Sequence, residues 1–149
     1  MAQVWADVGC DSILKRALNG TFPSNSLALG AAGDVQLRLY CNNYTPVQTS
    51  VAGDFTQATG GGYAAKTLSY GSFTVTVGND PSDAVYAIQT WTFSGVLTTN
   101  TTIYGYYIVD SDGVLMCAEL GPAAYTPTSS GTDVLTVTYK VQLSSGTPA

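Results

Sequence analysis

The side chains able to do acid–base work are few and scattered: Asp54, Asp80, Asp83, Asp110, Asp112, Asp133 and Glu119. A carboxylate pair of the glycosidase type needs two of them held across a cleft. Most lie in turn-forming sequence, where Asp serves the hydrogen bonds of its own backbone. The chain contains no histidine. The commonest general base is therefore missing, and neither a Ser-His-Asp nor a Cys-His arrangement can be assembled. Asp110-Ser111-Asp112-Gly113 begins like a calcium loop, but Met116 to Leu120 run on as strand where the distal acidic ligand belongs. A hairpin turn is the better reading. Gly60-Gly61-Gly62 is not followed by Lys-Ser or Lys-Thr and has no strand-loop-helix around it, so it reads as a flexible or tight turn rather than a phosphate cradle. No catalytic, cofactor-binding or metal-binding residue is assigned.

Cys10, Cys41 and Cys117 are odd in number and widely spaced. A zinc site would need all three plus a carboxylate, without any Cys-x-x-Cys pairing. Buried free thiols are expected instead, with Cys41 a small core hydrophobe. The ten tyrosines, among them Tyr40, Tyr44, Tyr63, Tyr104, Tyr106, Tyr107 and Tyr125, leave two readings open. They form a sugar-stacking platform, or they are core and subunit-interface side chains that combine large area with a polar handle.

The elements that would position these groups are mostly strands. Val35, Leu37, Leu39 and Cys41 alternate with Gln36, Arg38 and Tyr40, which predicts a strand over 35–41. Residues 42–62 read as a long connection with at most a short edge strand. Strands over 63–70 and 73–77 flank Gly71-Ser72 as a hairpin or bulge, and Gly78 to Asp83 is a turn. Val85 to Ser94 is a strand interrupted by Gln89. Thr101 to Val109 is apolar on both faces and so central in a sheet. Asp110 to Gly113 turns it into a strand over 114–120, which Gly121-Pro122 stops. The last strand, 132–143, directs Leu135, Val137, Tyr139, Val141 and Leu143 inward. One helix of about two turns is predicted over 11–19, capped by Asp11 or Ser12 and ended by Asn19-Gly20; it needs a packing partner. About seven or eight strands with hairpin-sized turns imply an all-β fold, an antiparallel β-sandwich or jelly roll with one short N-terminal helix.

The length, 149 residues, fits a single β-domain over 1–149 with an N-terminal arm and helix over 1–20 and a mobile or extended tail over 144–149. Charged residues make up 10%, against about 25% in a typical chain. Thr, Ser, Asn, Gly and Tyr take their place, a palette of strands and turns. The net charge is −5, and Lys15, Arg16, Arg38, Lys66 and Lys140 make no basic stripe, so nucleic acid is not an expected partner. So few charges imply either a surface partly buried against other protein chains or a Thr- and Ser-rich surface that a β-protein simply tolerates. The first residues carry no positive n-region or apolar h-region, so synthesis in a cytosol without a signal peptide is expected. No apolar run approaches the roughly 20 residues of a membrane span.

Leu37, Leu39-Tyr40, Asn42-Asn43 and Thr45-Pro46, then Asp54-Phe55-Thr56 with Ala58-Thr59, then Gly62-Tyr63-Ala64, form a pattern. It resembles small structural proteins of tailed bacteriophages, and Tyr104-Gly105-Tyr106-Tyr107 is similar to a second shared element. Those relatives usually carry Glu where Gln57 stands, and an aromatic residue plus one other in place of Gly60-Gly61. The resemblance implies a virion protein of the capsid decoration, or cement, type: β-rich, usually a homotrimer, seated on the capsid surface. Its partners would be the major capsid protein and copies of itself, its role to bridge capsid subunits, and it would have no enzymatic activity. The alternative is a tail-fibre or receptor-binding, carbohydrate-binding module. Trp5, Val8, Tyr44, Phe55, Tyr63, Tyr104 and Tyr106 are the candidate subunit or capsid contacts. The N-terminal segment, with Val4, Trp5 and Val8, either reaches a neighbour as an arm or caps one end of its own subunit.

Overall fold

The computed structural model describes residues 3–7, 34–69, 72–76, 82–128 and 131–143. The helix expected over 11–19, the residues Val8 and Cys10 and the tail from 144 onward lie outside these. The described chain is all-β and antiparallel. Its strands are β1 (Val4–Trp5), β2 (Val35–Tyr40), β3 (Lys66–Leu68), β4 (Phe73–Thr76), β5 (Ser82–Tyr86), β6 (Gln89–Phe93), β7 (Ile103–Val109), β8 (Leu115–Tyr125), β9 (Asp133–Val137) and β10 (Lys140–Leu143). They pair as a five-stranded sheet in the order β1-β8-β7-β2-β3, a three-stranded set β10-β5-β4 and a pair β6-β9.

β7 is central, between β8 and β2, which is why its sequence is apolar on both faces. One face of the sheet carries Leu37, Leu39, Cys41, Ile103, Ile108 and Cys117 into the main core, where they meet Trp91 and Phe93 of β6 and Tyr139. Burying each of the larger of these side chains contributes roughly 1.5–3 kcal/mol. On the opposite face, Tyr40, Tyr107, Val109, Leu115 and Ala118 form a second cluster with Ala6 and Phe55. Tyr40 is wholly buried there, on the strand face where Gln36 and Arg38 are only partly covered.

The runs 85–94 and 132–143 are each broken in the middle. Val85 pairs with Lys140 and Gln89 with Val137, and between them Tyr86 N–H donates to the Tyr139 carbonyl at 2.9 Å. Ala87 and Ile88 therefore oppose Thr138 alone, the two-against-one count of a β-bulge. The Gln89 side chain turns back and donates to the Ala87 carbonyl at 2.9 Å and the Ile88 carbonyl at 3.4 Å. Gln89 thus interrupts the strand pattern because it serves the bulge.

Two further expectations are corrected. β3 and β4 are not a hairpin: β3 pairs with β2 and β4 with β5, in different sheets. β8 does not stop at Gly121-Pro122. Gly105 pairs with Leu120 and Ile103 with Tyr125, so residues 121–124 bulge opposite Tyr104, where the missing N–H of Pro122 breaks no ladder bond. The Asp110 to Gly113 hairpin is as expected, with Gly113 at φ 80°.

Candidate functional site

The loop from Asn42 to Ala58 folds over the second face of the five-stranded sheet and holds two of the candidate contact residues, Tyr44 and Phe55. Asn42 anchors it at both ends of one amide: Nδ2 donates to the Asp54 carbonyl at 2.7 Å, and Oδ1 accepts from Thr56 N–H at 2.8 Å. Main-chain bonds from Cys41 N–H to the Thr56 carbonyl and from Ala58 N–H to the Leu39 carbonyl lay residues 56–58 along the end of β2. Asp54 accepts from Val51 N–H at 2.9 Å and from the Tyr44 hydroxyl at 3.4 Å, while buried Ser50 bonds the Tyr44 hydroxyl and accepts from Val47 N–H. Asp54 is therefore a loop fastener, with its carboxylate spent on the turn.

Phe55 is the keystone of this face. Its ring lies 5.0 Å from Tyr107 in a stacked pair, 5.1 Å from Tyr40 and 5.2 Å from Tyr44 in edge contacts. Tyr104 packs against the same cluster. Gly105 allows this. A Cβ there would stand 2.1 Å from the Glu119 carbonyl oxygen and 2.7 Å from the Tyr40 hydroxyl. The irregular register around Gly105 also puts Tyr104 and Tyr107 on the loop-covered face and Tyr106 on the main-core face.

The remaining candidates serve the other face. Tyr63 accepts a hydrogen bond from Leu39 N–H at 3.0 Å, and its ring stacks on Trp91 with centroids 6.4 Å apart. Burial pushes the Tyr63 hydroxyl up to about 12. Tyr106 donates to the Glu119 carboxylate at 2.6 Å, and its pKa is raised, first by burial and then by that carboxylate. Trp5 pairs through its backbone with Cys117. Tyr44, Phe55 and Tyr104 thus come together on one face, Tyr63 and Tyr106 lie on the other, and their rings are largely spent on one another and on the core. They form no single exposed platform.

The triglycine is a joint between loops. Gly60, Gly61 and Gly62 have φ of 80°, 56° and 77°, and a Cβ on Gly61 would stand 2.5 Å from the Gly95 carbonyl oxygen. Ser94 N–H donates to Gly61 and Thr98 N–H to Thr59, so backbone lies flat against backbone. Asp110, also buried, accepts from Asp112 N–H and Val114 N–H at 2.9 Å each, which makes its carboxylate part of the β7–β8 turn. Cys41 and Cys117 are free and buried, and burial raises their thiols to about 11 and about 12. Among the described residues no group of three or more His, Cys, Asp or Glu could hold a metal ion, and no helix is long and apolar enough to cross a membrane.

Alternation along the strands leaves one uncharged surface strip. Trp91, Phe93, Leu135 and Val137 point into the core, so Thr90, Thr92, Val134 and Thr136 point out, with Thr90 opposite Thr136 and Thr92 opposite Val134. Thr138 and Ile88 extend the strip at the bulge; Ile88 is 61% and Val134 51% exposed. The Thr-x-Thr alternation made the outward threonines readable in the sequence, but nothing in it showed that β6 and β9 pair to set them side by side. Compared with known proteins, the chain matches no family model, no curated protein and no solved structure.

Proposed function

We propose that the protein is a structural component of a tailed-phage virion, a capsid decoration protein whose work is mechanical. The observation that carries this reading is what the residues of the phage-like pattern do in the fold. Leu39, Tyr40, Asn42, Asp54, Phe55, Ala58 and Tyr63 are packed or hydrogen-bonded into the framework and leave no side chain set out for chemistry. A pattern of that kind specifies a building module.

The strip on β6 and β9 supports the same reading. The cores of protein–protein contacts are depleted in charge, and this strip carries none on a chain of net charge −5. The contact role then falls to Thr90, Thr92, Val134 and Thr136, with the half-buried rims of Tyr44, Tyr63 and Tyr104 secondary. In a homotrimer, three such patches would bind neighbouring major capsid subunits together, and avidity would make weak single contacts adequate. Localisation tests the proposal: the chain is expected on the surface of purified heads. Absence from heads, or attachment to tails alone, would overturn it. Sedimentation of the free and head-bound protein would then separate a trimer formed in solution from one assembled on the particle.

A further inference from the structure

The ladder between β2 and β7 ends at Tyr40 and Gly105. Beyond it the two chains part. Cys41 turns to bond Thr56, while Thr102 bonds the hydroxyl of Thr126 at 2.8 Å. Between them lies a groove of about 440 Å3, lined by Asn42, Asn43, Asn100, Thr101, Thr102 and Tyr104 beside Cys41. We infer that this groove is a subsite for one unit of a neutral saccharide.

The lining sets the chemistry. It offers amides, hydroxyls and one phenol, with no amine, guanidinium or carboxylate, so nothing in it favours an anion, and the chain's net charge of −5 opposes one. A hard cation would want carboxylate ligands that the groove lacks. The exposed amides of Asn43 and Asn100 each carry a donor and an acceptor side by side, which matches a pair of neighbouring sugar hydroxyls. Tyr104 packs on the Phe55 cluster and also lines the groove, so its ring is fixed before a ligand arrives.

The walls are preorganised as well. Both ends of the Asn42 amide are taken by Asp54 and Thr56, so that wall does not move. Asn43 and Asn100 are exposed and supply the adaptable contacts. Asn100 sits at φ 45°, the one described non-glycine residue with positive φ. Such strain costs of order 1 kcal/mol and collects where a side chain has to be aimed. The inference stands apart from the capsid proposal; a virion protein in any position would use such a subsite to hold the particle at a glycan-coated surface.

The test is a two-dimensional amide NMR titration of the full chain with methyl glycosides of neutral hexoses and N-acetylhexosamines, their disaccharides, and an acidic sugar for comparison. Saturable shifts are expected for the side-chain amides of Asn43 and Asn100 and for residues 100–104, with neutral sugars only. Asn43→Ala, and Asn100→Gly, which keeps the left-handed backbone, should each weaken binding roughly tenfold, the loss of about one good hydrogen-bonded contact. The rest of the spectrum should stay unchanged. No shift with any neutral sugar, shifts mapping elsewhere, equal binding of the acidic sugar, or full binding by both variants would overturn the inference.

Discussion

Gly105 lies hard against Tyr40: a Cβ added to the glycine would stand 2.7 Å from the tyrosine hydroxyl and 2.8 Å from its ring. On the same site the Glu119 carbonyl oxygen comes within 2.1 Å, and a ladder carbonyl cannot swing aside as a side chain end can. Gly105→Ala is therefore expected to cost about 3 kcal/mol, at the upper end of overpacking penalties. Tyr40→Phe keeps the ring and removes the hydroxyl's hydrogen bond, shared between the Tyr44 carbonyl at 3.3 Å and the Glu119 carbonyl at 3.5 Å, which costs about 1 kcal/mol. Urea midpoints at unchanged slope measure both. A Gly105→Ala protein as stable as its parent would mean that β7 and β8 shift freely here.

The triglycine gives a sharper contrast. Gly61 combines a φ of 56° with a carbonyl 2.5 Å from where its Cβ would be. Gly61→Ala should lose about 1–2 kcal/mol from the left-handed backbone alone, and more from the contact. Gly53, with nothing within 4 Å, should tolerate Ala within about 0.5 kcal/mol. Equal effects at the two sites would sink the docked-loop account. A loosened joint would also free the segment 94–98.

Much of this was legible in the sequence where the signal is local. Alternation placed β2 and β4, apolarity on both faces placed β7 at the centre, and Asp110 to Gly113 announced its hairpin. What the sequence withheld is non-local. One extra residue at Ala87-Ile88 leaves the alternation on either side intact, so the bulge and the change of sheet are invisible until the partner Thr138 is known. Pro122 reads as a stop signal because its tolerance depends on a bulge in a neighbouring strand. The same holds for function. Tyr104 and Tyr106 stand two apart and would share a face on a regular strand, but Gly105 breaks the register and separates them. Asn100, in the run Thr98-Thr99-Asn100-Thr101-Thr102, gains interest only once the loop is seen to face Asn42 and Asn43.

Stability should fall in alkali for a stated reason. Burial raises Cys117 from 9.0 to about 12 and Cys41 from 9.0 to about 11 in the folded chain. The folded state then holds these protons more tightly than the unfolded one. Their contribution is complete below the unfolded pKa and is lost as pH rises from about 9 toward 12, by up to about 1.4 kcal/mol per pH unit for each group. Tyr63, raised from 10.0 to about 12, adds to the loss above its own unfolded value. Urea midpoints are expected to be level between about pH 7 and 8.5 and to decline beyond about 9. Cys117→Ala should start lower, through the lost packing, but decline less steeply. A parent midpoint that holds steady to about pH 10.5 would contradict the burial of both thiols.

The strip on β6 and β9 separates contact from framework. Val134 is 51% exposed and directly opposite Thr92, so Val134→Lys, and likewise Thr136→Lys, should shift folding stability by no more than about 0.5 kcal/mol. Each places a hydrated charge at the centre of an otherwise uncharged patch. If that patch seats on the capsid, the ammonium must be desolvated on binding, and a charge buried without a partner costs several kcal/mol. Occupancy on purified heads should then drop by at least an order of magnitude at fixed protein concentration, since about 1.4 kcal/mol is tenfold in affinity. Val47 and Val51, 49% and 46% exposed, belong to the loop that covers the far face of the five-stranded sheet and supply the control. Val47→Lys and Val51→Lys should leave head binding intact. The reverse result, binding lost at the loop and kept at Val134, would assign the contact to the Asn42–Ala58 loop and with it to the residues of the phage-like pattern themselves.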